Sequence, residues 1–306
     1  MARFLIRRAL LAIPVVLGIS VITFVLLYFL PADPARMYAG PNASVETVAR
    51  IRHQMGLDQP AWVQYGRFLT RALQGDLGYS YRLQMPVAKA IASRFPYTLE
   101  LTFAGIFVEL LIGLTSGIAA AVRRNTWVDS MSMLVALLGV AAPPFWLGLM
   151  FLYVFAYKLS LFPLGGAGGL SHLVLPALTA GLGGAAWYAR MARSSTLDIL
   201  HADYVRTARA KGLPAWIVLF KHVVRNALNP IVTMAGMDIP WFVSGVVLVE
   251  IVFGWPGVGR LAVDAVQTDD IPLVMGTVIF TAVLVVISSI LIDVAQSLLD
   301  PQVRTD

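Results

Sequence analysis

Apolar residues in this chain neither alternate with polar ones, as on a half-buried strand, nor recur on one side of a short helix. They run together in blocks long enough to cross a bilayer. A helix needs about 20 mostly apolar residues to cover about 30 Å of hydrocarbon, and six stretches meet or approach that length. The first, residues 9–30, carries no charge, follows Arg3, Arg7 and Arg8, and ends at Pro31-Ala32-Asp33-Pro34, where two prolines stop a helix. Its apolar run is longer than a signal-peptide core and no small-x-small cleavage site stands out, so it reads as an uncleaved signal anchor. The other spans are expected over residues 101–122, 131–157, 173–189, 231–253 and 273–292. The fourth is the weakest, being short and holding Pro176, Gly181, Gly183 and Gly184, which are tolerated where neighbouring helices pack closely. Pro143-Pro144 in the third span and Pro240 in the fifth also predict bending or close packing, and Gly113-x-x-x-Gly117 in the second permits close helix approach.

Between the first two spans, residues 42–55 and 61–74 predict short helices, and residues 86–95 an in-plane amphipathic helix leading into span two. This segment has too small an apolar core and no convergent catalytic set for an enzyme domain. The expected division is a cytoplasmic N-terminus and first span (1–30), an extracytoplasmic loop (31–97), a five-span core (98–299) containing a cytoplasmic loop (194–229), and a cytoplasmic tail (300–306).

Composition removes the soluble alternatives. Of 306 residues 58% are apolar and 13% charged, about half the charged share of a water-soluble domain. The absence of cysteine excludes disulfides, thiol catalysis and sulfur-ligated zinc. The charge of +6 is best read through its placement, which also makes nucleic acid an unexpected partner. In the short segments thirteen Lys and Arg fall on one side of the predicted spans and two, Lys158 and Arg260, on the other, which puts both termini in the cytoplasm. The segment from Pro31 to Phe95 holds eight more, but long loops translocate largely regardless of charge.

The chain lacks the chemistry of an energy-coupling enzyme. None of its lysines, Lys89, Lys158, Lys211 and Lys221, follows a glycine, so no phosphate-cradling Gly-Lys-[Ser/Thr] loop exists. His53, His172, His201 and His222 are scattered, without metal-ligand spacing.

The informative segment is Asp203-Tyr204-Val205-Arg206-Thr207-Ala208-Arg209-Ala210-Lys211-Gly212-Leu213-Pro214. Leu197, Leu200, Tyr204 and Ala208 recur at helical spacing, Gly212 stands where a left-handed cap belongs, and Pro214 suits the first turn of a second helix. The apolar run from Trp216 to Phe220, with Val223 and Val224, would lie along the membrane surface or beneath the bundle.

Thr207-Ala208, three residues and Gly212 resemble the EAA-x-x-x-G coupling motif of bacterial ABC importer permeases, in the form of the dipeptide, oligopeptide, glutathione and nickel group. His222 and Arg225-Asn226-Ala227-Leu228 before Pro230 continue the likeness. So do Asp33-Pro34, Gly56-Leu57-Asp58-Gln59-Pro60, Gly75-Asp76-Leu77-Gly78, Phe145-Trp146, Leu175-Pro176-Ala177-Leu178, Phe253-Gly254-Trp255-Pro256-Gly257 with Gly259, and Asp300-Pro301. Arg206 stands where the general motif has Glu, His222-Val223-Val224-Arg225 replaces Ile-x-Leu-Pro, and no arginine precedes Asp269-Asp270-Ile271-Pro272.

The resemblance implies an all-α, six-span permease with both termini cytoplasmic, similar to type I ABC importers. It implies a homologous second permease, two cytoplasmic ABC ATPase subunits and an extracytoplasmic solute-binding protein, all at the lipid bilayer. ATP and Mg would be bound by the ATPase subunits and no cofactor by this chain. Asp203, Tyr204, Arg206, Thr207, Ala208, Arg209, Lys211 and Gly212 would couple to the ATPases. The implied solutes are di- or oligopeptides, with glutathione or nickel chelates as alternatives.

Glu109, Asp238 and Glu250 are ionisable residues in apolar spans, which rarely face lipid. Asp238 and Glu109 are the candidates for the solute path; pairing within the bundle is the alternative, as is the interface for Glu250. Asp293 is expected to meet Arg190 or Arg193, and Trp127, Trp146 and Trp187 to serve as interface anchors or packing. A self-sufficient secondary transporter would instead show internal repeats and intramembrane ion ligands. An intramembrane enzyme would need a catalytic constellation, which is missing.

Overall fold

The computed structural model describes residues 2–29, 33–40 and 42–299. Leu30, the Pro31-Ala32 stop, the Asp300-Pro301 landmark, Arg304 and the expected tail lie outside the described residues. The described chain is helical almost throughout; a two-residue antiparallel ribbon pairs Tyr79–Ser80 (β1) with Met85–Pro86 (β2), Tyr79 opposite Pro86. Two compact units form, Met1–Thr98 with Pro256–Asp306, and Leu99–Trp255.

In the first unit, α1 (Ala2–Tyr28) is followed by α2 (Pro34–Ala39), α3 (Val45–Met55) and α4 (Ala61–Leu73). Local chemistry sets their ends. Asp33 caps α2 by accepting from the Ala35 N–H at 3.1 Å, Ser44 caps α3 through the Thr47 N–H at 3.2 Å, and Gly56 closes α3 at φ +67. The last two helices, α14 (Val258–Gln267) and α15 (Ile271–Leu299), complete the unit. α1 runs antiparallel to α15: Arg8 donates to Asp293 at 2.9 Å near one end, and Leu27 shares a core with Leu273 and Met275 near the other. Val87, Ala90, Ile91 and Leu261 fill the same core.

That core explains one departure from expectation. Residues 86–95 do not form a separate in-plane helix: Pro86 belongs to β2, and residues 87–95 are the start of α5 (Val87–Val122), which continues through Pro96 into the second span. Burial of Val87, Ala90 and Ile91 fixes the first turns, and a single proline removes only one hydrogen-bond donor.

The second unit holds the rest of α5, then α6 (Trp127–Ala141), α7 (Pro144–Phe151), a wider π-helical stretch, π1 (Leu152–Lys158), and α8 (Leu170–Leu200). The third span is therefore broken. Neither proline donates a backbone N–H, and each forces the preceding residue out of the helical region: Ala142 lies at ψ 127 and Pro143 at ψ 135. The fourth span is longer than expected, because α8 passes residue 189 and reaches Leu200 without interruption. The fifth is divided at Val246 into α12 (Asn229–Gly245) and α13 (Val247–Val252). Among the described residues four helices are long and apolar enough to cross a membrane, or up to five if the pair broken at Pro143 is one span.

α5 and α8 cross at the glycines of span two. A Cβ at Gly113 would meet Tyr188 and the Ala185 carbonyl, and one at Gly117 the Ala189 carbonyl. Leu101, Leu175, Val249, Phe253 and Trp255 form the adjoining core.

The expected partners of Asp293 are engaged elsewhere. Arg193 donates to both carboxylate oxygens of Asp129, at 2.7 and 2.8 Å, and Arg190 lies over the Trp187 ring at 4.3 Å. Asp293 pairs with Arg8 instead.

Candidate functional site

The segment beyond α8 is a compact helical elbow. After Leu200 the chain turns at His201, and Ala202 is extended at ψ 145 before α9 (Asp203–Ala210) begins. Leu197 and Leu200 thus belong to α8, while Tyr204 and Ala208 belong to α9. The four residues do not form the single stripe that their spacing predicts. α9 is anchored by Val205 and Ala208, which are buried against Val218 and Val223. These come from a second π-helical stretch, π2 (Val218–Val224), entered through the short α10 (Ala215–Ile217) and followed by the short α11 (Arg225–Ala227). Pro214 precedes α10 as its cap rather than occupying its first turn.

α9 ends in two nested hydrogen bonds. The Gly212 N–H donates to the Arg209 carbonyl at 2.9 Å and the Leu213 N–H to the Ala208 carbonyl at 3.4 Å, with Gly212 at φ +73. Nothing lies within 4 Å of where a Gly212 Cβ would stand, so backbone conformation, not space, selects glycine here.

The elbow presents one chemically distinct face. Asp203, Tyr204, Arg206, Thr207, Arg209 and Lys211 are exposed. The Asp203–Arg206 contact, 3.4 Å and open to solvent, contributes little to stability. The Asn226 side-chain amide reaches the Tyr204 hydroxyl at 3.2 Å and the His222 carbonyl at 2.8 Å, tying α9 to the segment behind it. Trp216 and Phe220 point outward, whereas Val218 and Val223 point in. Six of the eight predicted coupling residues lie on α9, and Lys211 and Gly212 form the turn that ends it; seven of the eight are exposed, and Ala208 is buried as part of the backing.

The other predicted residues, Glu109 on α5 and Asp238 on α12, line one cavity of about 440 Å³. Glu109 is 3% exposed and packs against Gly184, where a Cβ would overlap its carboxylate. Asp238 is half-buried and accepts a hydrogen bond from the Tyr188 hydroxyl. Trp187 and Trp241 form part of the wall. Glu250 stands apart from this group: it is fully buried, so it reaches no interface.

Two residues that matter were not singled out by sequence. Tyr188 carries a hydroxyl in a buried helix position and so requires a polar partner, a signal visible beside Trp187. Asp129, in the first turn of α6 close after Arg123-Arg124, was detectable as a buried-charge candidate; it accepts from Arg193 and from the Asn125 N–H at 3.0 Å.

Comparison with known proteins agrees with this architecture. Residues 113–305 match the family model described as binding-protein-dependent transport system inner membrane component, and residues 1–102 match its N-terminal companion. The glutathione transport system permease protein GsiC of Salmonella paratyphi A is 41% identical over 304 residues, 99% of each chain. GsiC of Escherichia coli K12 is 40% identical over the same length and share. Among solved structures, the inward-facing MetNI methionine ABC transporter aligns with a TM-score of 0.56 at 20% identity, covering 70% of this chain and 95% of that one. An amino acid ABC transporter crystallised with histidines gives 0.50 at 16%, covering 67% and 92%. At these identities the structural likenesses speak for the fold alone. The family match over most of the chain is decisive: the protein belongs to the inner-membrane components of binding-protein-dependent transport systems, and is a multi-pass permease subunit of an ABC importer.

Proposed function

We propose that the chain forms half of the translocation path of an ATP-driven importer whose solute is glutathione or a closely similar short peptide. The observation that carries this is the full-length identity of 40–41% to permeases named for glutathione transport, which favours that solute over di- and oligopeptides in general. In this reading the chain crosses the membrane six times with both termini cytoplasmic, the broken third span and the divided fifth span each counting as one crossing. It pairs with a homologous permease, two cytoplasmic ABC ATPase subunits that bind ATP and Mg, and an extracytoplasmic solute-binding protein. The first unit's segment from α2 to β2 is then the cap or dock on the outer side.

The α9 elbow is the part that meets the ATPase. Its backing by Val205 and Ala208 makes it stiff enough to transmit a displacement, and its small and basic exposed residues suit insertion into a cleft on a partner. ATP-driven closure of the partners would shift the elbow and exchange inward for outward access of the cavity that Glu109 and Asp238 line. The test is reconstitution of the chain with its partners in proteoliposomes and measurement of labelled glutathione uptake. Saturable, ATP-dependent uptake that unlabelled glutathione suppresses and an excess of dipeptide does not is the expected result. Preferential uptake of dipeptides would reject the glutathione assignment.

A further inference from the structure

The cavity lined by Glu109, Trp187, Tyr188, Asp238 and Trp241 has a chemical bias that its role in a path does not by itself explain. We infer that it is a recognition site for a primary ammonium group, with Glu109 as the anchoring anion and Asp238, held by Tyr188, as the second. The inference rests on the reading of this cavity as part of the solute path.

Glu109 Oε2 is buried and has no hydrogen-bond partner among the described residues. Leaving such an oxygen without a donor costs about 1–3 kcal/mol, more if it is charged, and a group from outside the chain that supplies the donor removes that penalty. Among the described residues lining the cavity the hydroxyl is that of Tyr188, and it is already committed to Asp238. Among the described residues lining the cavity none is basic, and Arg190 is placed over the face of Trp187. A donor that arrives with the ligand would satisfy this oxygen.

The remaining walls narrow the donor's identity. Gly184 leaves room for the Glu109 carboxylate where any side chain would displace it, so the anion is accommodated by the helix opposite. Trp241, 72% exposed, adds an aromatic wall of the kind that attracts a cation, while Trp187 already carries Arg190 over one face of its ring. A primary ammonium is compact and carries three donors, enough for Glu109, Asp238 and a ring face, whereas a planar guanidinium needs a wider fork. Two carboxylates in a poorly screened space also repel the carboxylates of a peptide. A peptide-like solute would consequently enter amino end first.

The test measures equilibrium binding to the permease–ATPase complex in nanodiscs, without the solute-binding protein, using glutathione, dialanine and the N-acetyl form of each. A free-amine probe is expected to bind at least about tenfold tighter than its N-acetyl form, equivalent to about 1.4 kcal/mol, and Glu109→Gln is expected to bring that ratio to about one. Asp238→Asn, at a half-buried position, should lower the ratio severalfold and gives the answer if the Glu109→Gln complex does not assemble. No amine preference in the wild-type complex, or one that persists in both variants, overturns the site. Amine-dependent binding of dialanine but not of glutathione would keep the site and reject the glutathione reading.

Discussion

Ser80 donates its hydroxyl proton to Asp270 at 2.5 Å, joining side chains 190 positions apart that are both fully buried. Asp270 also accepts from the Arg82 and Leu273 N–H groups, each at 3.3 Å, and Ser80 Oγ accepts from the Leu83 N–H at 3.0 Å. One carboxylate thus caps α15 and fastens the β1–β2 turn to it. Asp270, which stands in the stretch where the sequence departs from the family pattern, is internal, with its carboxylate occupied by this chain.

Replacing Asp270 with alanine should destabilise the protein by about 2–4 kcal/mol, because three donors lose their acceptor. Ser80→Ala should cost about 1 kcal/mol. The double variant should cost less than the sum, since the two changes remove the same contact. Thermal unfolding of the detergent-solubilised chain measures all three; strict additivity would mean that the pair contributes nothing.

The Asp129–Arg193 pair makes a second prediction. Asp129→Ala leaves a partly buried guanidinium and the Asn125 N–H without their acceptor, a loss of about 2–3 kcal/mol. Exchanging the two residues, Asp129→Arg with Arg193→Asp, should recover part of it. The readout is the melting temperature of the assembled complex, and a swap no better than Asp129→Ala would count against direct pairing.

Gly212→Val should uncouple the transporter without preventing membrane insertion. A β-branched residue at φ +73 is strained by roughly 1–3 kcal/mol, enough to unseat the nested hydrogen bonds that end α9. Solute-stimulated ATPase activity should fall at least tenfold, or the ATPase subunits should fail to copurify. Normal coupled transport in this variant would remove α9 from the coupling role.

Reporter fusions test the crossing number. A fusion after Arg304 should report the cytoplasm and an insertion near Gln59 the opposite side, as the thirteen-to-two distribution of basic residues requires. Protease protection of both sites in the same compartment would exclude six crossings with cytoplasmic termini.

The sequence made visible what short-range physics decides. The helices over residues 45–55 and 61–73, the left-handed glycine at 212 and the close approach at Gly113 and Gly117 all follow from local periodicity, caps and side-chain size. What it left hidden depends on three-dimensional neighbours. Nothing local tells Arg193 to choose Asp129, or tells Asp293 to choose Arg8, because acids much nearer in sequence, Asp198 for Arg193 and Asp33 for Arg8, are passed over. Hydropathy alone also cannot distinguish a continuous span from one divided at Val246, since both bury the same apolar residues. For the cavity, the sequence marked Glu109 and Asp238 as costly in an apolar span; that they share one space depends on how α5 and α12 meet around Tyr188.

From Ala185 to Leu200, α8 contains neither glycine nor proline, and Asp129 grips it at Arg193. Sixteen residues separate Gly184, whose bare backbone receives the Glu109 carboxylate, from the end of the helix just before α9, about 24 Å at 1.5 Å per residue. Over such a length a tilt of about 10° moves the far end by about 4 Å. The cavity wall and the elbow are thus two ends of one lever with the ion pair near its middle. A displacement of α9 that passes the His201–Ala202 turn into α8 would therefore change the space around Glu109.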